Sequence, residues 1–210
     1  NHSQERRTDM ADVRSSGSTG FNSPDTDLAG AYTAAMNQAA TAVTVVSTTD
    51  GAQHLAQTVS AVSTVSNEPP TLVACVSQRS PLNEMIAASG SFRVNILGTN
   101  HDHVADTFAG RPWAGKQPYD FSCGDWELEA SAGPRLTDAV VSVACDVMQR
   151  IEVGTHYVYI GAVQAVSEPS AEQPLVYLKR IYRRLEELPL SEFPQFPEAK
   201  PPYERTRTTR

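Results

Sequence analysis

Ser77-Gln78-Arg79-Ser80 stands directly before Pro81, and these residue types suit the capture of an anion. Two hydroxyls and a guanidinium can donate to phosphate oxygens, and proline favours the first position of a helix, so a helix start is expected beside them. Upstream, Thr58-Val59-Ser60-Ala61 places small and hydroxylated side chains at the centre of a strand-like run. Small residues there let a flat ligand approach the backbone. The two stretches together describe a site for a planar molecule that carries a phosphate.

The remaining candidates for chemistry are few. His101 and His103 flank Asp102 near a helix start. As a metal pair they would need a third ligand that nothing designates, so they read as a solvated helix end and no metal is expected. His54 follows a turn and reads as exposed, while His2 belongs to the polar start of the chain. His156 opens a strongly β-forming run after Gly154-Thr155 and, taken alone, reads as a buried or turn-satisfied histidine. There is no Gly-x-Ser-x-Gly elbow, no GxGxxG and no GxxxxGK[ST], which argues against a serine nucleophile and against a Rossmann or P-loop cradle. Glu127/Glu129 and Glu186/Glu187 read as solvated faces. With catalytic side chains this scarce, a cofactor is expected to carry the chemistry.

The composition bounds what can hold such a site. A chain of 210 residues with 40% hydrophobic content can bury one core. The net charge of −7 argues against nucleic acid or an anionic membrane surface as the main partner. No stretch reaches the apolar length of a membrane span. Asn1–Arg7 has basic residues with no apolar run behind them, which argues against a secretory signal. Cys75, Cys123 and Cys145 lie far apart without CxxC spacing, which fits a reducing cytoplasm. Cys75 and Cys145 sit in apolar runs and read as buried structural thiols.

In chain order, residues 1–27 are polar and aperiodic and read as a mobile leader, 28–188 as one domain, and the Pro-rich 189–210 as an extended tail. Leu28–Ala42 reads as a short alanine-rich helix and Ala42–Thr48 as a strand. Asp50-Gly51 predicts a tight reversal into a second strand centred on Thr58–Ala61. Pro69-Pro70 leads into a third, Leu72–Val76. Pro81–Ser89 reads as a helix with Ser80 as its cap and Gly90 past its end. There follow a strand at Phe92–Leu97, a helix at His101–Ala109, a long covering loop at Arg111–Ser122 and an edge strand at Trp126–Leu128. Val140–Ile151, His156–Val166 and Leu175–Leu185 read as further strands. Six or seven strands with a few short helices and no regular alternation predict a mainly β protein, an antiparallel Greek-key barrel or sandwich.

This succession resembles the short-chain flavin reductases, the reductase components of two-component flavin-dependent monooxygenases. The likeness runs through Thr58–Ala61, Val65-Ser66 with Pro69-Pro70, Cys75–Ser80, Phe92–Leu97 and Phe108–Gly110. It continues through Ala144–Val147, Gly154-Thr155-His156, Ile160–Val163, Pro174–Tyr177 and Tyr182. The resemblance implies an FMN-binding split β-barrel, working as a homodimer, that reduces FMN or FAD with NADH or NADPH and passes reduced flavin to a monooxygenase. It implies that Thr58, Val59, Ser60 and Ala61 line the isoalloxazine, that Ser77, Arg79 and Ser80 hold the flavin phosphate, that Phe92 walls the pocket, and that His156 contacts the nicotinamide nucleotide. No arginine cluster suited to a 2′-phosphate is evident, so NADH is expected over NADPH.

Two departures stand out. The family often has an aspartate where Thr155 stands, so a carboxylate that would orient the histidine is missing. It commonly has glycine and a bulky apolar residue where Ala56 and Gln57 stand; the extra methyl would narrow the flavin slot, and the glutamine could bond the ring. Two other functions share the likeness: a flavin-binding module without catalysis, and a flavin-dependent reductase of another acceptor such as a corrinoid or ferric chelate.

Overall fold

The computed structural model describes residues 26–128 and 130–186. The expected leader, except for its last two residues, and the Pro-rich tail lie outside the described residues. The helix α1 (Thr26–Met36) belongs to a unit of its own that ends at Ala39, and all that follows concerns the unit from Ala40 onward.

The hairpin marked by Asp50-Gly51 joins β2 (Thr44–Thr49) to β3 (His54–Val59), after a two-residue β1 (Thr41–Ala42). Gly51 has φ 89°, and the Asp50 carboxylate accepts the Ala52 and Gln53 amides at 2.9 and 2.7 Å. Aspartate and glycine each do what this reversal requires. The run centred on Thr58–Ala61, read as one strand, is two. β3 stops at Val59, and β4 (Val62–Asn67) begins after Ser60-Ala61 and turns at Pro69 into β5 (Pro70–Ser77).

With β6 (Ser91–Ile96), β9 (Val141–Val153) and β10 (His156–Val166), these strands form one antiparallel sheet in the order β3-β2-β6-β9-β10-β5-β4. Its two edges, β3 and β4, are therefore joined by only Ser60 and Ala61. Laid flat, seven strands would hold those edges about 29 Å apart, whereas three chain steps from Val59 to Val62 span at most about 11 Å. The sheet must roll. No ladder joins β3 to β4, so the roll stays split along that seam.

Two helices pack on it. α2 (Leu82–Ser89) buries Leu82 and Ile86 in a cluster with Val46, Val76, Phe92 and Tyr159. α3 (Asp102–Phe108) buries Val104 and Phe108 in a second cluster with Val45 and Leu97. Val45 and Val46 thus serve opposite faces of β2, which is why that strand is an unbroken β-branched run. Buried Arg93 on β6 donates to the carbonyls of Gly133 (2.9 Å) and Ser131 and to the Ser142 hydroxyl (3.2 Å). It fastens the segment before β8 (Arg135–Leu136), which pairs with β7 (Trp126–Glu127).

Several expectations need correction. The last strand is a hairpin, β11 (Val176–Leu178) and β12 (Ile181–Arg183), because Lys179 and Arg180 both turn left-handed, at φ 54° and 63°. α2 starts one residue later than read, with Pro81 in the cap position. His101 is buried, not solvated: its Nδ1 accepts the Gly98 amide at 3.0 Å and its Nε2 lies 3.0 Å from Asp138. His54 is half-buried, edge-on to Phe121. Cys145 and Cys123 are buried, but Cys75 is only partly so.

Candidate functional site

The turn from β5 into α2 is braced from below. The Ser80 amide donates to the Ser77 carbonyl at 2.9 Å, closing the turn. Buried Asn83 donates from Nδ2 to the carbonyls of Ser77 (2.7 Å) and Ser80 (2.9 Å), and the Tyr159 hydroxyl donates to Asn83 Oδ1 at 2.9 Å. Above this brace, Ser77 Oγ accepts the Arg79 amide at 3.4 Å and Ser80 Oγ accepts the Leu82 amide at 3.3 Å. Neither hydroxyl gives its own hydrogen to an acceptor among the described residues. Arg79 is exposed, with no carboxylate among the described residues in ion-pair reach. Three donors on one rigid turn are thus uncommitted, which is what a phosphate needs.

They open onto a cavity of about 340 Å³ whose other walls are Leu55 and Gln57 of β3, Pro81 and Tyr119. That volume lies in the range of small-ligand sites. Strand parity decides what β3 contributes. Leu55, Gln57 and Val59 share one face; Ala56 and Thr58 share the other. The Thr58 hydroxyl donates to the Ala105 carbonyl at 2.7 Å, and Thr58 and Ser60 line a separate 160 Å³ cavity with Arg111 and Tyr182. Ala56 is buried beneath α3, so its methyl does not narrow the slot beside Gln57. Val59 is buried, and Ala61 is exposed with its carbonyl bonded to the Cys75 amide. The four residues 58–61 therefore do not form one ledge of side chains.

Phe92, expected as a pocket wall, is fully enclosed in the core. Its ring occupies the space left by Gly161, where an added Cβ would stand 2.7 Å from Phe92 Cζ. His156 is exposed and sits opposite Ser77 in the β10–β5 ladder, beside the donors of the turn. Its Nδ1 is 2.9 Å from the hydroxyl of Thr155, the residue that stands where the resemblance led us to expect a carboxylate.

Sequence reasoning missed Tyr119 and Asn83. Tyr119 holds a left-handed backbone (φ 59°) and lies against Gly110, where an added Cβ would come within 2.7 Å of its hydroxyl. Gly110 is the one legible trace of that packing. Nearby, the Tyr182 hydroxyl donates to Asp106 Oδ1 at 2.9 Å, and burial together with that carboxylate pushes the phenol well above its ordinary range. No cluster of metal-binding side chains occurs among the described residues, and no helix there is long and apolar enough to cross a membrane.

Residues 36–186 match the flavin reductase like domain. The chain is 38% identical over 165 residues to the FMN reductase (NADH) RutF of Methylorubrum extorquens, covering 78% of each, and 33% identical to its counterpart in Variovorax paradoxus, covering 73% of this chain and 84% of that one. Among solved structures it is similar to BorF, the flavin reductase component of a bacterial two-component tryptophan halogenase, with a TM-score of 0.67, 26% identity and coverage of 76% and 99%. The styrene monooxygenase flavin reductase of Pseudomonas putida gives a TM-score of 0.64 at 26% identity and the same coverage.

Proposed function

Because this chain belongs to the flavin reductase like family, we propose that it reduces FMN or FAD with NADH and supplies reduced flavin to a partner monooxygenase. The observation that carries this reading is the cavity beside the β5–α2 turn, with three uncommitted donors at one end and the Gln57 amide along its wall. Ser77, Arg79 and Ser80 hold the flavin phosphate. Backbone groups of Thr58–Ala61 and the Gln57 amide meet the polar rim of the ring, and Tyr119 replaces Phe92 as the aromatic wall. His156, oriented by Thr155, contacts the nicotinamide nucleotide. The bound flavin supplies the redox chemistry by accepting a hydride from the nicotinamide. The chain's own work is to anchor and orient, so no side chain has to act as an acid or base.

The chain acts as a homodimer in this reading. Met148, Ile151 and Val153, at 56%, 38% and 56% exposure, put three apolar side chains on the surface at the far end of the β9–β10 hairpin, among exposed Gln149, Arg150 and Glu152, and a second copy would cover them. The likeness to the flavin reductase components of a tryptophan halogenase and a styrene monooxygenase supports an oxygenase as the recipient. Free Cys75, Cys123 and Cys145 support a cytoplasmic location, and the matched residues 36–186 support a flavin reductase domain over 28–188. A steady-state assay crossing NADH and NADPH with riboflavin, FMN and FAD tests the activity. Rapid NADH oxidation that depends on added flavin is expected; flavin binding without turnover would leave only a binding module. In the same preparations His156→Ala should raise KM for NADH and leave the Kd for FMN unchanged.

A further inference from the structure

The β11–β12 hairpin gathers positive charge on a chain that is acidic as a whole. Lys179, Arg180, Arg183 and Arg184 fall within six consecutive positions, although the chain has only 17 Lys and Arg in 210 residues and a net charge of −7. All four are exposed, and none lies within ion-pair distance of a carboxylate among the described residues. Asp102 shares a 170 Å³ cavity with Arg183 and Arg184, but its carboxylate accepts the His103 amide at 2.9 Å and stands 3.7 Å from that histidine's Nδ1. Glu186, also exposed, is the acid that follows the run along the chain.

The fold turns this charge outward. Tyr177 pairs with Tyr182 and Leu178 with Ile181, so the two tyrosines share one face while Ile181 and Arg183 share the other. Tyr177 and Tyr182 pack on the cluster that holds Val104 and Phe108, and they line the 160 Å³ cavity with Thr58 and Ser60. Ile181, 53% exposed, is left on the outer face beside Arg183, with Lys179 and Arg180 at the tip, and Leu185, 51% exposed, follows Arg184.

Unpaired cations, mostly arginine, interspersed with exposed apolar side chains have the composition of a protein-binding surface. A long polyanion or a charged membrane would meet the net −7 of the whole molecule. At physiological salt a charge is felt over only about 8 Å, so a compact acidic patch on another protein meets the hairpin alone. We propose that the β11–β12 hairpin docks an acidic, partly apolar patch on the protein that takes up the reduced flavin. The inference rests on the proposed function, in which backbone groups of Thr58–Ala61 meet the flavin ring. The hairpin's tyrosines share a cavity with Thr58 and Ser60, so a protein seated on the hairpin stands next to the ring end of the site.

A fluorescein-labelled polyglutamate peptide stands in for the acidic patch, and its anisotropy is followed on titration with the full chain. Two variants each remove two cations, with thermal unfolding as the check on folding. Lys179→Asn with Arg180→Gly puts turn-forming residues where both φ angles are already positive; Arg183→Gln with Arg184→Gln leaves the turn alone. Arg135→Gln with Arg150→Gln removes the same charge from β8 and β9. Saturable, salt-sensitive binding is expected, weaker by about fivefold or more in each hairpin variant and unchanged in the β8–β9 variant. NADH oxidation with free FMN should keep the parent's rate in both hairpin variants. Absent polyglutamate binding, or binding weakened equally in all three variants, overturns the inference. So does tighter binding to phosphatidylserine vesicles than to polyglutamate, which would make the hairpin a membrane contact, and so does a changed sedimentation rate in the hairpin variants, which would make it a contact between copies. FMN reduction by the parent survives all of these. A parent chain that binds polyglutamate and reduces no flavin fails the flavin reading instead, and with it the recipient named here.

Discussion

Arg79→Met tests the phosphate grip most directly, because riboflavin and FMN differ only in the phosphate that Arg79 is proposed to hold. The substitution keeps the aliphatic stem and removes the guanidinium, which is exposed and pairs with no carboxylate among the described residues. A charge-assisted contact of this kind contributes about 1.5–3 kcal/mol, and exposure places Arg79 toward the lower end. Loss of about 1.5–2 kcal/mol corresponds to a ~10–30-fold weaker FMN complex. Binding should survive, since the hydroxyls of Ser77 and Ser80 keep their hydrogens available. Titration of flavin fluorescence gives the Kd, and steady-state assay the KM, for each flavin. For riboflavin the variant should match the parent within about twofold, because no phosphate is present to miss the guanidinium. Raising the salt should narrow the FMN difference as the exposed charge is screened. An equal loss for both flavins would mean that Arg79 shapes the turn and does not grip phosphate, and no loss for either would place the phosphate elsewhere.

The other expectations concern the frame. Gly133→Ala should lose about 3 kcal/mol or more in urea unfolding, since Gly133 has φ 109° and an added Cβ would stand 2.5 Å from the Thr48 Cα; wild-type stability would show that the 131–134 segment yields freely. Thr58→Val should cost about 1 kcal/mol of stability through the lost bond to Ala105 with little change in KM for FMN, whereas a large rise in KM would return the hydroxyl to the flavin. Burial pushes the Cys145 thiol up to about 12 from an ordinary 9.0. The folded state therefore keeps a proton that the unfolded chain gives up, so stability is full below pH 9.0 and falls as the pH rises toward 12. Denaturation midpoints between pH 8 and 11 should fall less steeply in Cys145→Ala than in the parent, and identical slopes would refute this.

What could be read from the sequence was what local chemistry dictates. Asp50-Gly51 announces its hairpin because its carboxylate and its missing Cβ are both used in the turn. Ser77–Pro81 announces a donor-rich turn before a helix for the same reason. Lys179-Arg180 does not, since left-handed turns usually call on Asn or Gly and here the pairing of Leu178 with Ile181 closes the turn on two exposed cationic residues. The break between β3 and β4 carries no Gly or Pro, so Thr58–Ala61 looked continuous. That misreading also hid the parity that turns Thr58 to Ala105 and Gln57 to the cavity. Phe92 looked like a wall because an aromatic near a site often is one; its burial depends on Gly161, 69 positions later, leaving room for its ring.

The short Ser60-Ala61 bridge has a bearing on how the molecule can assemble. Two strands that are neighbours along the chain lie on opposite rims of the sheet; each forms a local hairpin, β3 with β2 and β4 with β5, but the two hairpins join one sheet only when β6, β9 and β10 stand between them. Strands from the middle and the end of the chain must find each other first, which gives a high contact order and slow folding for the length. A circularly permuted chain opened between Ser60 and Ala61 would be spared that last cinching step. It should refold faster than the natural order even where the opened seam leaves it less stable.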